Sequence, residues 1–412
     1  MKKTKILLSG ILGNGLEFYD FALFGIFISV LTQEFIMSDN PTISLMVGLS
    51  YFAAGFFARP LGALYFGYIG DRIGRKNALS LSIILIGLTS LVVGLLPSKE
   101  KIGCSASSIL LLMRFIQGFS LGGENNGSAI FVIEHYPKKY SGLIGAIILT
   151  GGAFGTLLAS FLGYITLRPT MPDWAWRLPF VLGFIISILG LLMRRTLMET
   201  PAFMKKTKTP DFPLKEVFKH YKLGLFVSVI VGGMNATLAY NLVVYLNLFM
   251  EKHMDIVIHK SMLISSFGLL AFAFLAPLAG KISDKIGFSR TMKGTCLMIP
   301  LVGFIIFFAL QQGSLPYYLL ATVLSACIMA GFNGPSNAYM NYLFPVKNRY
   351  SGIGLGYALG AAIFGGNMPL INTYIISLTQ NYYTPALFLT SMALLSWITL
   401  YIAGKKLTLF DN

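Results

Sequence analysis

Twelve apolar runs, each long enough to cross a bilayer as a helix, leave this chain little choice of fold. They fall near 6–32, 43–68, 78–97, 107–135, 142–167, 176–194, 222–249, 261–280, 292–311, 315–339, 351–378 and 383–403. About 20 apolar residues in a helix span a hydrocarbon core of about 30 Å. In lipid every backbone N–H and C=O must be satisfied inside the structure, which leaves helices or closed barrels, and runs of this length exclude barrel strands. Composition agrees: 55% of the 412 residues are hydrophobic and 12% charged, where a soluble chain carries about a quarter charged. The expected fold is an all-α polytopic membrane protein with twelve transmembrane helices, its outer surface in contact with the lipid bilayer.

The net charge of +16 does not point to nucleic acid, because the basic residues fall in short segments between apolar runs rather than on one helix or tail. Numbering the helices from one side, 24 of the 32 Lys and Arg lie in segments on the side of the termini and 6 on the other, with Arg59 and Arg114 inside helices. That bias places both termini in the cytoplasm. Lys2, Lys3 and Lys5 followed by apolar residues resemble a signal peptide, but Asn14 to Glu17 interrupt the apolar core and no small-residue cleavage site follows, so a retained first helix is expected. Cys104, Cys296 and Cys327 lack metal spacing, and His135, His220, His253 and His259 form no catalytic constellation. With no phosphate-binding Gly-rich loop either, no metal, cofactor, ATP-driven or enzymatic activity is expected.

The sequence repeats. GYIGDRIG (67–74) aligns with GKISDKIG (280–287) at an offset of 213, and YPKKYSG (136–142) with FPVKNRYSG (344–352) at an offset of 210. Each motif follows an even-numbered helix on the inner side of its own half. Two copies in one orientation imply two six-helix bundles related by an axis along the membrane normal. The expected division is 1–194 and 222–412, with 195–221, basic and Pro-containing, as a linker.

These motifs resemble the major facilitator superfamily, whose signature loop between helices 2 and 3 matches GYIGDRIGRK. GNGLEFYDF (13–21), ARPLGALYFGYIGDRIGRK (58–76), LLLMRFIQGFSLGGE (110–124), WRLPFVLG (176–183), ETPAF (199–203) and RYSGIGLGYALGAAIFGGNMPLI (349–371) are similar to the metabolite:proton symporter family within it. That family includes proline/betaine, α-ketoglutarate, citrate and shikimate transporters. Asn125-Asn126 depart from its pattern, which more often has an aromatic or small residues there. The long C-terminal extension of the proline/betaine branch has no counterpart before Asn412, so osmosensing through it is not expected. The resemblance implies the major facilitator fold and a symporter driven by the proton gradient, functional as a monomer in the bacterial inner membrane. The substrate it implies is a small polar metabolite, a zwitterion or a di- or tricarboxylate. An uncoupled facilitator is the alternative.

An ionisable group at bilayer depth costs roughly 2.5–3.5 kcal/mol on insertion scales, so such groups pair or face a cavity. Glu17 and Asp20 are three residues apart on helix 1 and share a face with Asn14. At 1.5 Å per residue, Asp20 lies about 22 Å from Lys5, well inside the membrane. They form either a protonatable site or a permanent ion pair. The resemblance motivates Arg114 on helix 4 as the partner of Asp20. Glu124 is a second proton-site candidate, or a packing residue in the small-residue row of Gly118, Gly122, Gly123 and Gly127. Arg59 suits an anionic substrate, or a structural role shared with its Arg-Pro motif.

At the inner ends, Gly67, Asp71, Arg72, Gly74, Arg75 and Lys76 form a candidate gate, with Asp284 as its second copy and Glu134 and Glu199 as ionic partners. An aspartate there suits a facing helix N-terminus, and the resemblance implies that Asp71 and Arg75 latch the halves in the outward-open state. Topology-setting charge alone is the alternative. The C-terminal half offers amides and phenols in place of intramembrane charge. Asn235, Tyr240 and Asn241 on helix 7, Asn333 and Asn337 on helix 10 and Asn367 on helix 11 are candidates to bind substrate, alongside Asn14, Tyr19 and Gln117.

Overall fold

A computed structural model describes residues 3–37, 41–205 and 212–406. Both extreme ends of the chain and residues 206–211 of the expected linker lie outside these. Twelve helices are long and apolar enough to span a membrane: α1 Lys3–Ile26, α2 Met46–Arg72, α3 Arg75–Leu95, α4 Ser105–Ile133, α5 Lys138–Thr166, α6 Arg177–Arg195, α7 Lys222–His253, α8 Lys260–Ile286, α9 Phe288–Leu310, α10 Leu315–Asn341, α11 Val346–Thr379 and α12 Thr384–Lys406. The described residues contain no strand. An even number of crossings returns the chain to the face it started from, so Lys3 and Lys406 share one face of the molecule.

Packing repeats with the sequence. In the first half α1 lies on α5, α2 on α4 and α3 on α6; in the second α7 lies on α11, α8 on α10 and α9 on α12. Each helix n thus corresponds to helix n+6, in two six-helix bundles. They meet through α2 against α11 and α5 against α8, again a symmetric pair. Two crossings depend on glycine. A Cβ at Gly118 of α4 would stand 2.0 Å from the Gly55 carbonyl oxygen of α2, and one at Gly155 of α5 2.0 Å from that of Gly15 of α1. Without a side chain the backbones approach closely, which is how helices associate where lipid is as apolar as they are. Large apolar side chains such as Phe57, Phe274 and Leu370, each more than 70% exposed, cover the outer surface, where lipid would solvate them.

Two helices depart from regular α geometry. α7 contains a π turn at Asn241–Tyr245 and α11 one at Ala361–Gly365. The expected linker is largely ordered where described, with short helices Pro201–Lys205 and Pro213–His220. Pro213 and Val217 of the second are buried.

Candidate functional site

The face bearing Lys3 and Lys406 is closed by two crossed contacts. The Asp71 carboxylate accepts from the backbone N–H groups of Tyr350 and Ser351 at 3.0 and 2.8 Å, in the first turns of α11. Free N–H groups and the helix dipole favour an anion there. Asp284 on α8 accepts likewise from Gly142 and Leu143 at 2.7 and 2.9 Å, in the first turns of α5. The acids belong to the two copies of one sequence repeat and the helix starts to the two copies of the other. Each half grips the other's helix.

Only the first contact is reinforced by charge. Arg75 donates to Asp71 Oδ1 at 2.7 Å and to the Val346 carbonyl at 2.6 Å, and lies 3.6 Å from Glu134. Glu134 also accepts from Arg349 of α11 at 2.9 Å. Burial pushes the Glu134 carboxyl up, but the Arg75 and Arg349 guanidiniums outweigh it and hold the group below its usual range. In the second copy the position of Arg75 holds Phe288, stacked on Tyr342 at 6.1 Å. Gly67 allows the approach of the halves, since a Cβ there would meet Ser351 Cα at 2.8 Å, and Gly74 turns the chain at φ +141°. Arg72 is exposed and donates to the Tyr68 hydroxyl. Lys76 and Glu199 act within the first half: Lys76 Nζ donates to the Arg195 and Leu197 carbonyls, and Glu199 accepts from the Lys76 backbone N–H at 3.1 Å. Glu199 therefore caps α3 and also acts electrostatically on Arg75, the gate residue for which the sequence suggested it as an ionic partner.

The intramembrane charges pair differently from expectation. Asp20 and Arg114 share no ion pair. Gln117, one turn along α4 from Arg114, stands between them, donating to Asp20 Oδ1 at 3.3 Å and accepting from Arg114 Nη1 at 3.4 Å. The Arg114 guanidinium lies over the rings of Phe21, Phe24 and Phe52 at 4.5–5.1 Å. Asp20 Oδ2 and Glu17 Oε2 have no hydrogen-bond partner among the described residues, although both side chains are buried. Glu124 is engaged on every side. Arg194 of α6 forms a two-pronged ion pair with it, and the hydroxyls of Ser82 and Ser128 donate to it at 2.6 and 2.7 Å. An acid held by four donors is a brace between α3, α4 and α6, which favours the packing alternative for Glu124 over the proton site.

Above the closed face, between the halves, lies a cavity of about 320 Å³, at the small end of ligand-binding pockets. Its lining runs from Asn125 and Tyr357 at the floor to Gly25, Ile28, Glu251 and Met262 at the far helix ends, so it reaches toward the face opposite Lys3 and Lys406. Phe18, Phe21, Phe52 and Tyr240 make it aromatic, and Arg59 is the one cation among its described lining residues. Arg59 donates to the Tyr240 hydroxyl at 3.3 Å and stacks on Phe21 and Phe56 at 5.0 and 4.8 Å. Its Nε has no hydrogen-bond partner among the described residues. A smaller chamber of about 40 Å³ shares Phe18, Asn125, Thr156 and Tyr357 with the first and adds Asn235, Asn333 and Asn337.

Of the proposed substrate contacts, Arg59, Tyr240, Asn235, Asn333 and Asn337 line these chambers. The others lie elsewhere. Tyr19 donates to the Pro179 carbonyl at 2.6 Å, tying α1 to α6. Asn14 is fully buried and donates to Asn125 at 3.3 Å. Asn241 is buried in the π turn away from the cavity, and exposed Asn367 donates to carbonyls of its own helix. Sequence reasoning missed Asn125, Thr156 and Tyr357 on the cavity wall, and Arg194 and Arg349, both taken as loop charge. The Tyr-Ser-Gly repeat was the available signal for Arg349, which directly precedes its second copy.

A sequence model of the Major Facilitator Superfamily matches residues 10–366. The chain belongs to that family and is a multi-pass membrane transporter, not an enzyme. The glycine betaine/proline/ectoine/pipecolic acid transporter OusA of Dickeya dadantii is 28% identical, over 96% of this chain and 82% of its own. The proline/betaine transporter of Escherichia coli K12 is 27% identical over 97% and 83%. Among solved structures, the proton:xylose symporter XylE bound to 6-bromo-6-deoxy-D-glucose superposes with a TM-score of 0.83 over 99% of this chain and 96% of its own, at 16% identity. The human organic anion transporter MFSD10 gives 0.76 over 97% and 100%, also at 16%. Both establish the shared fold.

Proposed function

We propose that this protein is a proton-coupled symporter that imports a small zwitterion of the imino-acid or betaine class across a bacterial inner membrane. The observation that carries the substrate class is the cavity itself, aromatic and apolar around a single guanidinium. One cation suits one carboxylate, bound in bidentate fashion. A di- or tricarboxylate would leave one or two charges unpaired in a low-dielectric chamber, a heavy penalty. Aromatic faces suit the substrate's cationic nitrogen. Relatives named for proline, betaine, ectoine and pipecolic acid agree with that class.

Coupling follows from charge balance. Arg59 and Arg114 face Glu17 and Asp20, and Arg59 acts electrostatically on Glu17. A substrate carboxylate reaching Arg59 adds a third anion to this buried group and competes with Glu17 for that guanidinium. A proton taken onto Glu17 or Asp20 relieves the repulsion among these carboxylates, so each ligand favours binding of the other. In this reading the termini are cytoplasmic, the closed face is the cytoplasmic gate of an outward-facing state, and the bundles 1–194 and 222–412 rock about the seam. The transporter works as a monomer, with no cofactor beyond the proton gradient.

Thermal unfolding of the purified protein tests the substrate class, because a ligand that binds only the folded state raises its stability. L-proline or glycine betaine raises the unfolding temperature of the wild type and leaves that of Arg59→Ala unchanged. A response to citrate or α-ketoglutarate and none to zwitterions would overturn the assignment.

A further inference from the structure

The small chamber beneath the main cavity is lined on its α7 and α10 side by amides. Three amides face it, and each has an amide N–H committed to a partner that can only accept there. Asn333 donates to the Asn235 backbone carbonyl at 3.2 Å and Asn337 to the Gly145 carbonyl at 3.3 Å. Asn235 donates to Ser336 Oγ at 2.8 Å, whose own proton is committed to the Asn333 carbonyl at 2.7 Å. These partners fix which way each amide points, since a flipped amide would set oxygen against oxygen. The side-chain oxygens are left for the chamber. That of Asn333 is buried and has no hydrogen-bond partner among the described residues.

We propose that this niche is a subsite for a hydrogen-bond donor on the substrate, the N–H of a protonated secondary amine. This deepens the zwitterion reading above and rests on it. The substrate then lies along the seam, its carboxylate at Arg59 and its N–H group directed to Asn333 Oδ1. A space of about 40 Å³ admits a small donor group, being more than the roughly 10–15 Å³ one water needs. A fully N-methylated ammonium brings no proton to an acceptor buried without a partner. The niche therefore selects N–H-bearing zwitterions over their permethylated counterparts, because a site built around a hydrogen bond rejects the analogue that lacks it.

The test compares L-proline with N,N-dimethylproline, which keeps the ring and carboxylate but has no N–H, as competitors of proline counterflow in proteoliposomes. Wild type binds proline more tightly. Asn333→Leu lowers proline affinity about tenfold or more, as expected for one hydrogen bond to a charged group, and leaves N,N-dimethylproline affinity within about twofold. Asn333→Gln, which keeps both the amide N–H and the oxygen, retains the preference for proline and shows that the position tolerates change. Equal wild-type affinity for the two compounds, or a parallel loss of both in Asn333→Leu, overturns the subsite while leaving the zwitterion reading intact. Failure of wild type to bind either compound overturns the subsite, and failure to bind glycine betaine as well overturns both.

Discussion

Arg194 and Arg59 are both arginines at helix depth, and their surroundings give them opposite work. Arg194 is closed into an ion pair with Glu124, with hydroxyls completing the shell. Removing one partner of such a pair strands a buried charge, at a cost of about 3–5 kcal/mol, whereas replacing both with apolar residues is far milder. Arg194→Met alone should therefore lower the unfolding temperature sharply, and Glu124→Met/Arg194→Met should recover most of the loss. If the double variant is no more stable than the worse single one, the brace account fails. Arg59, with aromatic rings around it and an Nε that has no hydrogen-bond partner among the described residues, is held ready rather than satisfied. Arg59→Lys keeps the charge but loses the planar fork and its stacking, so substrate affinity should fall by about tenfold or more while stability changes little. Retained affinity in a binding titration would remove Arg59 from the substrate site.

At the scale of elements, the helices were legible because apolar length is an additive property that survives ignorance of packing. The crossed gate was legible in part: the two repeats announced paired motifs, though not that each acid would reach the other half's helix start. The cavity was much less legible. Twelve amphipathic assignments do not say which face of α7 or α10 meets the seam, so Asn333 and Asn241 looked alike from sequence. Arg194 was hidden for a related reason, since beside Arg195 at a helix end it has the composition of a topology signal.

The gate predicts asymmetry. Asp71 has Arg75 and the Glu134–Arg349 pair behind it, and Asp284 has Phe288 in the equivalent place. With Cys104, Cys296 and Cys327 replaced, a cysteine at Thr156 on the cavity wall reports opening by its labelling from the closed face. Asp71→Asn should raise that rate severalfold, and Asp284→Asn should raise it less; the reverse order would show that charge does not set the latch. The linker adds a weaker tie, Glu216 accepting from Lys347 and from Asn348 at 2.9 Å. Slight burial raises the Glu216 carboxyl, but hydrogen bonds from Lys347 and Asn348 prevail and hold it below its usual range. A depressed carboxyl contributes stability above its unfolded pKa and loses it as pH falls through the folded value. This tie should therefore persist at neutral pH and vanish only in acid. Being partly exposed, it contributes at most about 1 kcal/mol, so Glu216→Gln should lower the unfolding temperature slightly at pH 7 and by less as the pH falls into the acid range.

For the whole molecule, the two halves divide the labour. The first carries Glu17, Asp20, Arg59 and Arg114, the second the amides of α7 and α10, and the seam brings both halves to one chamber. A closed gate at one face with a chamber reaching toward the other is one end-state of a rocking cycle, in which a site near the midplane is exposed to each side in turn. The central claim is that a zwitterion and a proton are taken up together through the group formed by Glu17, Asp20, Arg59 and Arg114. It is tested most directly by measuring proton flux with a trapped pH dye in proteoliposomes when substrate is added outside, with no imposed gradient. The account predicts acidification of the lumen that follows L-proline uptake in wild type, and no acidification in Glu17→Gln/Asp20→Asn, which still exchanges proline by counterflow. Proline uptake by wild type without proton entry, or unchanged proton entry in the double variant, would contradict it.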